Sequence, residues 1–432
     1  MFDTPFDDRA IVVVDLGFGD AGKGATVDWL CSQRADLDVS AVVRFNGGAQ
    51  AAHNVVVDGR HHTFSQFGSG MLSGVQTFLS KHMLVEPIAL ATESRQLADL
   101  GVVQPLSMLS IDERALVTTP IHVAANRTRE DRRGRDRHGS CGKGIGETAW
   151  YALEFAELAP TVGDCRQPGL LRSKLEAMAE HYGPLLDGSR HRYPEIADLV
   201  GVYTEFACAV KIVGNGHLGD LAARGRLVLE GAQGVLLDEW RGFHPYTTWS
   251  TVEPSNARRV LAEIGCDPYV LGVTRSYLTR HGAGPFPTEN ARLGAVLTEP
   301  HNPSAGYQGA FRVGHFDPVL LRYAMTACGG VDGVAISHLD ALETAAGAGV
   351  PIAAAAAYVT AAGIVESLPL GTWQDLEHQQ ALTDVIGNVS AVLEPLPIGG
   401  AADWIGDALE TPVVLTADGP DRAARRQRVG AA

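Results

Sequence analysis

A basic excess, paired cysteines and a membrane-length hydrophobic run are all missing from this chain, and each absence closes off a class of function. Acidic residues outnumber basic ones, 50 Asp and Glu against 35 Lys and Arg, for a formal charge of −15. No nucleic acid is therefore expected as a global partner, although local backbone amides and a few cations can still hold phosphates. The six cysteines, Cys31, Cys141, Cys165, Cys208, Cys266 and Cys328, include no C-x-x-C pair and no metal spacing. They read as reduced thiols in a cytoplasmic protein. The first residues lack a basic segment followed by an apolar stretch, so no signal peptide is expected. The nearest approach to a membrane span, residues 349–365, is shorter than the roughly 20 residues required and is interrupted by Pro351. It reads as a buried strand or helix, with no membrane contact.

What is present is a globular composition: 432 residues, 45% hydrophobic and 20% charged, with 49 glycines. That balance excludes disorder and fibrous repeats. Ala10 to Leu16 is an apolar run broken only by Asp15, the pattern of a strand buried on both faces. Further strands are expected at Ser40–Phe45, Phe78–Val85, Leu227–Leu229, Pro268–Thr274, Val331–Ile336 and Pro412–Leu415. Helices are expected at Ala25–Arg34, Ala149–Glu157, Pro168–His181, Asn256–Ile264 and Pro318–Ala327. This alternation predicts an α/β fold with a mostly parallel central sheet, one domain over residues 1–432, and long active-site loops. The basic stretch 127–143, with Arg127, Arg129, Arg132, Arg133, Arg135, Arg137 and Lys143, reads as a solvated loop or as a mobile loop above a phosphate site. The late cluster Arg422, Arg425, Arg426 and Arg428 reads as a ragged, solvated tail.

Residues 17–24 read G-F-G-D-A-G-K-G between a buried strand and a helix. This is the G-x-x-x-x-G-K core of a phosphate loop in the context that the motif requires. Glycines let backbone amides curl around phosphate oxygens, and the helix N-terminus adds partial positive charge. Lys23 supplies a mobile cation. The usual Ser or Thr that follows is here Gly24, so another group must hold a metal, and Asp20 within the loop is the candidate. A second glycine turn, R-F-N-G-G-A-Q-A-A-H-N at residues 44–54, sets Gln50 and His53 beyond a strand end, where α/β proteins bind ligands. Histidine suits proton exchange near neutrality. Three more glycine-rich loops follow at residues 139–146, 230–238 and 279–289.

This series resembles the adenylosuccinate synthetase family, collinearly over nearly the whole chain. The family reads W-G-D-E-G-K-G where residues 18–24 stand, R-Y-Q-G-G-H-N-A-G-H-T at 44–54, and G-T-T-G-R-G-I-G at 139–146. It reads E-G-A-Q-G-T-L-L-D at 230–238 and S-T-R-V-G-A-G-P-F-P-T-E up to Glu289. Late matches are T-K-L-D at Ser337–Asp340 and S-T-G-P-D-R at Ala417–Arg422. The resemblance implies a magnesium-dependent ligase and a homodimer in the cytoplasm. In that scheme Asp20 takes a proton from a purine monophosphate, His53 assists, and the freed 6-oxygen attacks the γ-phosphate of GTP or ATP. The amine of L-aspartate, or another amine, then displaces phosphate. It further implies phosphate and nucleotide contacts from Gly19, Gly22, Lys23, Gly24, Asp340 and Gly419. Monophosphate contacts fall to Gln50, Ser140, Cys141, Gln233 and Thr248, an amino-acid contact to Arg312, and metal ligation to Asp20 and the carbonyl of Ala52.

The departures cluster on substrate contacts. The family's Thr-Thr pair is Ser140-Cys141, its cross-dimer Arg falls near Phe155, and its T-T-G-R-R-R-R loop keeps one arginine, Arg312. Losing a bidentate carboxylate contact typically costs about 1.5–3 kcal/mol. Three readings stay open: an ordinary family ligase, a divergent one taking dGMP, another oxo-purine or another amine, and a non-catalytic nucleotide binder. Retention of Asp20, Lys23 and His53 argues against the last.

Overall fold

A computed structural model describes Phe6 and residues 9–134, 140–299 and 309–428. Ten strands form one twisted sheet. Their spatial order is Arg425–Gln427, Val413–Ala417, Gly333–Ser337, Pro268–Arg275, Ala10–Asp15, Arg226–Gly234, Val39–Arg44, Gln76–Leu79, Leu109–Asp112 and Lys211–Val213. Every neighbouring pair is parallel except the Val413–Ala417 and Arg425–Gln427 pair, which is antiparallel.

The apolar run at residues 10–15 is explained by its central place. Ile11 and Val13 pack with Val27 and Leu30 of the Lys23–Leu30 helix, while Val12 and Val14 face the opposite core. Alternation between two buried faces is what a parallel strand covered on both sides demands. A separate core lies beneath the helices Pro87–Asp99, Pro120–Arg133, Ile145–Glu154, Pro168–Leu186 and Ile196–Ala209, built on Leu90, Ile121, Tyr151, Leu175 and Tyr203. All six cysteines are free. Among the described residues no helix is long and apolar enough to cross a membrane.

Several expectations are corrected. The strand foreseen at Phe78–Val85 is broken. Gln76–Leu79 belongs to the main sheet, a turn closes with Met83 N–H donating to the Ser80 carbonyl, and Leu84–Val85 pairs instead with Leu116–Val117. The helix foreseen at Ala149–Glu157 starts at Ile145, after Gly144 in the left-handed region at φ 80°, and ends at Glu154. The stretch 349–365, by contrast, holds a strand as one of its two readings had it: Ala353–Thr360 is the middle of a three-stranded antiparallel sheet with Gly363–Val365 and Ser390–Pro395.

The basic stretch is not a loop over its first half. Arg127, Arg129, Arg132 and Arg133 lie on the Pro120–Arg133 helix, whose start is fixed by reciprocal bonds between Thr119 and His122. Their guanidiniums hold the scaffold: Arg129 pairs with Glu147 at 2.7 Å, Arg132 donates to the Leu185 carbonyl, and Arg127 to that of Gly142. Arg135 and Arg137 lie outside the described residues. Nor is the late arginine cluster a ragged tail. Arg422 grips the buried Asp28 with two bonds and also bonds Ser73, Arg425 is buried, and Arg428 pairs with Asp403 at 2.6 Å. The one acid of the Lys23–Leu30 helix, buried Asp28, needs a cation, and this segment provides it.

Candidate functional site

The ligand-facing edge is formed where the central parallel strands end, as in other open α/β sheets. Asp15 closes the first strand and organises the loop behind it. Its Oδ1 accepts from the amides of Gly17 at 2.9 Å and Gly19 at 3.3 Å, and its Oδ2 accepts from the Ala21 amide at 2.9 Å and from Lys23 Nζ at 3.0 Å. Gly19, Asp20 and Gly22 all take left-handed backbone, at φ 100°, 61° and 90°. Such a run of turns directs successive amides into one concavity.

Two glycines let neighbouring loops approach. A Cβ on Gly234 would stand 2.2 Å from both the Gly17 carbonyl oxygen and the Gly19 nitrogen, so the 230–238 loop rests directly on the phosphate loop. A Cβ on Gly24 would stand 2.5 Å from the Cβ of His53 and 3.0 Å from Ser69 Oγ. The missing hydroxyl residue of the phosphate loop therefore has a steric cause: His53 occupies that space.

His53 is locked from behind. Its Nδ1 lies 2.6 Å from Glu230 Oε1, and Glu230 also accepts from the amide and hydroxyl of Ser69. Burial pushes the His53 imidazole down to about 4, against the attraction of Glu230. Burial also works to raise Glu230, but His53, Arg44 and the bonds from His53 and Ser69 outweigh it and hold the acid at about 2. The pair is thus a neutral imidazole donating Nδ1–H to a carboxylate, with Nε2 buried and unpartnered among the described residues. Asp20 lies across the loop. Burial raises its pKa, while Arg275, His281 and Lys23 oppose the rise. Arg275 Nε donates to the Asp20 backbone oxygen at 2.6 Å, and His281 Nε2 stands 3.7 Å from Asp20 Oδ2.

These groups share one cavity of about 530 Å³, a volume suited to small ligands. Of the residues expected from sequence, Gly19, Asp20, Gly22, Lys23 and Gly24 line it from the phosphate loop. Gln50, Ala52, His53 and Gln233 line a second side, and Asp340 and Gly419 a third. The side-chain amide of Gln50 and the Gln233 Oε1 are buried without partners among the described residues. Ser140, Cys141, Thr248 and Arg312 do not line the cavity. Ser140 bonds Asn126 at 3.0 Å, burial raises the Cys141 thiol pKa, and the Thr248 amide donates to the Leu237 carbonyl. Arg312 is engaged by Glu289 at 2.8 Å and by the Gly284 carbonyl at 2.9 Å, over the ring of Phe286.

Sequence reasoning missed Asp15, Glu230, Arg275, His281, Glu299 and Arg425. Asp15 left a signal as the charged residue in an apolar run, and Glu230 as the acid opening a glycine-rich loop. His281 stood unassigned within the 279–289 loop, whereas Arg275 and Arg425 at strand ends and Glu299 after the Ala291–Val296 helix carried no local motif.

A family model described as adenylosuccinate synthetase matches residues 12–424. The adenylosuccinate synthetase of Marinomonas sp. (strain MWYL1) is 35% identical over 352 residues, 78% of this chain and 78% of that protein. Fully ligated adenylosuccinate synthetase from Plasmodium falciparum aligns with a TM-score of 0.79 at 20% identity, over 97% of this chain and 100% of that one. Cyanophage S-2L succinoaminodeoxyadenylate synthetase, bound to dGMP and dATP as an energy donor, aligns with a TM-score of 0.58 at 16% identity, over 97% and 95%. At those identities the two structures establish likeness of fold.

Proposed function

The chain belongs to the adenylosuccinate synthetase family, and on that premise we propose how its own residues carry out the ligation. It is a purine-nucleotide ligase that forms a C–N bond, using a nucleoside triphosphate and aspartate. The proposed acceptor is a 6-oxopurine nucleoside monophosphate of the inosine type. Asp20 takes the N1 proton, the 6-oxygen attacks the γ-phosphorus, and the nucleoside diphosphate leaves. The aspartate amine then adds at C6, and inorganic phosphate departs with the former 6-oxygen. A purine oxo group leaves poorly, so its phosphorylation must come first, and the protein's share is positioning and charge stabilisation.

The observation that carries this reading is Asp20: a half-buried carboxylate in left-handed backbone inside a phosphate loop, lining the same cavity as His53. A mere nucleotide binder gains nothing from an acid set among phosphate-holding amides. His53, oriented by Glu230, assists transfer through Nε2. Lys23, drawn from Asp15 when phosphates enter, neutralises the transferring group, with the amides of Gly19, Gly22 and Gly24 around it. Gln50 and Gln233 bring unpartnered amide atoms to the purine monophosphate, with Ser140, Cys141 and Thr248 on neighbouring loops, and Asp340 and Gly419 meet the triphosphate's base. Arg312 is the proposed contact for the aspartate carboxylate, in competition with Glu289.

The donor set fits magnesium. Asp20 and the Ala52 carbonyl are hard oxygen ligands, and Asp20 lacks Lys23, whose ammonium is held by Asp15. Mg²⁺ usually takes one or two protein oxygens and fills its sphere with water and phosphate. When bound it would neutralise charge on the triphosphate. The working form is proposed to be a cytoplasmic homodimer, testable by sizing in solution with and without nucleotide.

The decisive experiment is isotope tracing. An acceptor labelled with oxygen-18 at the 6-oxo position should deliver its label into inorganic phosphate, with IMP and dGMP run side by side. Phosphate release without label would refute the scheme. Release with dGMP alone would move the acceptor assignment while leaving the chemistry intact.

A further inference from the structure

We propose that Arg425 binds the phosphate chain of the triphosphate, a second cation beside Lys23 that comes from the far end of the sequence. The inference rests on the reading above only in taking the 17–24 loop as the triphosphate's anchor. Arg425 lies outside every motif by which the chain resembles the family, the last of which ends at Arg422.

Among the described residues three Lys or Arg side chains line the cavity: Lys23, Arg275 and Arg425. Two are matched within the protein. Lys23 Nζ stands 3.0 Å from Asp15 Oδ2, with both side chains buried. Arg275 pairs with Glu299, and it donates to the Tyr277 hydroxyl at 2.7 Å and to the Asp20 backbone oxygen at 2.6 Å. Arg425 is the exception. It is 6% exposed, its Nη1 is buried without a partner, and no acid stands at ion-pair distance from it among the described residues. Asp28 and Asp421 attract it, but Arg422 takes both oxygens of Asp28, and Asp421 accepts from the Ala423 amide. Burial pulls the guanidinium down to about 10, so it stays charged at neutral pH. A buried charge with no partner is costly, and this one faces the cavity in which the triphosphate is proposed to sit.

The guanidinium is set against the phosphate loop itself. A Cβ on Gly22 would lie 3.6 Å from Arg425 Nη2 and 3.6 Å from Ser337 Oγ, and Gly22 is the N-cap of the Lys23–Leu30 helix. Loop amides and the helix dipole already favour an anion at that end. The Arg425 backbone is fixed as well. It pairs with Ala417 at the antiparallel edge of the main sheet, and the Ala424 carbonyl accepts from the Asp418 amide at 3.3 Å. Arg422 ties the same segment to Asp28 on that helix and to Ser73. One arginine of the segment thus secures the phosphate-loop helix, and the other is left to meet what the loop holds. A guanidinium offers five donors in a planar fork that matches phosphate oxygens. Beside Lys23, it offsets the charge that builds on the phosphate chain as the γ-phosphoryl group is transferred.

The test compares wild type with Arg425→Met, which keeps much of the bulk and removes the charge, and with Arg425→Lys, which keeps a charge without the fork. Titration calorimetry with Mg²⁺, without acceptor or aspartate, measures binding of inorganic tripolyphosphate and of the β,γ-imido analogues of ATP and GTP. Arg425→Met should weaken tripolyphosphate, and each analogue that the wild type binds, by about tenfold to a hundredfold. The factor should be the same whichever base is present, and Arg425→Lys should recover part of it. The urea midpoint of ligand-free Arg425→Met should be unchanged or raised, because an unpaired buried charge has been removed. Unchanged affinities in the folded variants, or a loss confined to the nucleotide analogues, overturn the proposal. So does a wild type that fails to bind tripolyphosphate. A lowered midpoint or a failure to fold in Arg425→Met, with Arg425→Lys stable but no weaker for tripolyphosphate, makes Arg425 a structural cation and overturns it too. Failure of the oxygen-18 tracing with these losses intact would sink the ligation scheme alone.

Discussion

Gly24→Ala tests the steric account of the phosphate loop. No positive φ is at stake at this position, so the effect isolates packing. The new Cβ would stand 2.5 Å from His53 Cβ, 3.0 Å from Ser69 Oγ and 3.2 Å from the His53 carbonyl carbon. Ordinary carbon contacts lie near 3.5–4.0 Å, so a gap of about 1 Å must open. Neither neighbour can swing aside, because Glu230 holds both, and the His53–Val57 strand is paired to Arg60–Phe64. Overpacking of this kind costs about 1–3 kcal/mol, and a 1 Å displacement of a positioned catalytic group costs about a hundredfold in rate. Gly24→Ser, which restores the common phosphate-loop residue, should do no better. The control is Gly201→Ala in the Ile196–Ala209 helix, where nothing lies within 4 Å and a gain of about 0.5–1 kcal/mol is expected. Urea midpoints and phosphate-release rates read both. An unchanged midpoint and rate in Gly24→Ala, or a faster Gly24→Ser, would refute the argument.

Glu230→Gln should lower kcat about a hundredfold or more with KM little changed, since it frees the tautomer and orientation of His53; a pure KM effect would make Glu230 structural only. His122, fully buried, is depressed by burial to about 3, so between pH 6.5 and 3 the unfolded chain binds one more proton than the folded one. Its contribution is therefore whole above pH 6.5 and is lost as pH falls toward 3, by at most about 1.4 kcal/mol per pH unit. The stability gap between wild type and His122→Gln, in which Gln can keep the capping bond, should accordingly shrink from pH 7 to pH 5.5. A constant gap in urea titrations would contradict this. Arg422→Ala should cost about 3–5 kcal/mol by stranding the buried Asp28; a loss below about 1 kcal/mol would return the segment to the status of a loose tail.

How much of this was legible in the sequence follows from how local each cause is. The strands at residues 10–15 and 268–275 and the Pro318–Ala327 helix announce themselves, because burial on both faces or an N-cap followed by proline writes a pattern into adjacent residues. The phosphate loop is likewise a local object. Arg422 and Arg425 were misread because their acid, Asp28, lies nearly 400 positions away, and charge near a terminus looks solvated when its partner is out of view. The 127–133 arginines were misread for the opposite reason: their density masked the Thr119 cap and the alanines that make the segment a helix. Arg275 and His281 meet Asp20, and Arg275 meets Glu299, only through the tertiary fold, which no window of sequence carries.

Backbone strain gives a last discriminating experiment. Asp20, Gln233 and His338 hold left-handed backbone at φ 61°, 66° and 59°, and all three line the one cavity. Each non-glycine residue kept there costs on the order of 1–3 kcal/mol, so the fold tolerates strain where a side chain must enter the cavity while the main chain turns away. Gln233 is the cleanest case, since its Oε1 is also buried without a partner among the described residues. Gln233→Gly should remove both costs, offset by the roughly 0.5–1 kcal/mol of extra entropy that glycine brings to the unfolded chain. The expected outcome is stability unchanged or raised by about 1 kcal/mol together with a loss of monophosphate affinity of tenfold or more. Gly24→Ala should lose stability and rate together, so the two variants separate strain kept for the ligand from packing kept for the fold. If Gln233→Gly destabilises by more than about 1 kcal/mol while binding the monophosphate normally, the left-handed residue serves the loop and not the substrate.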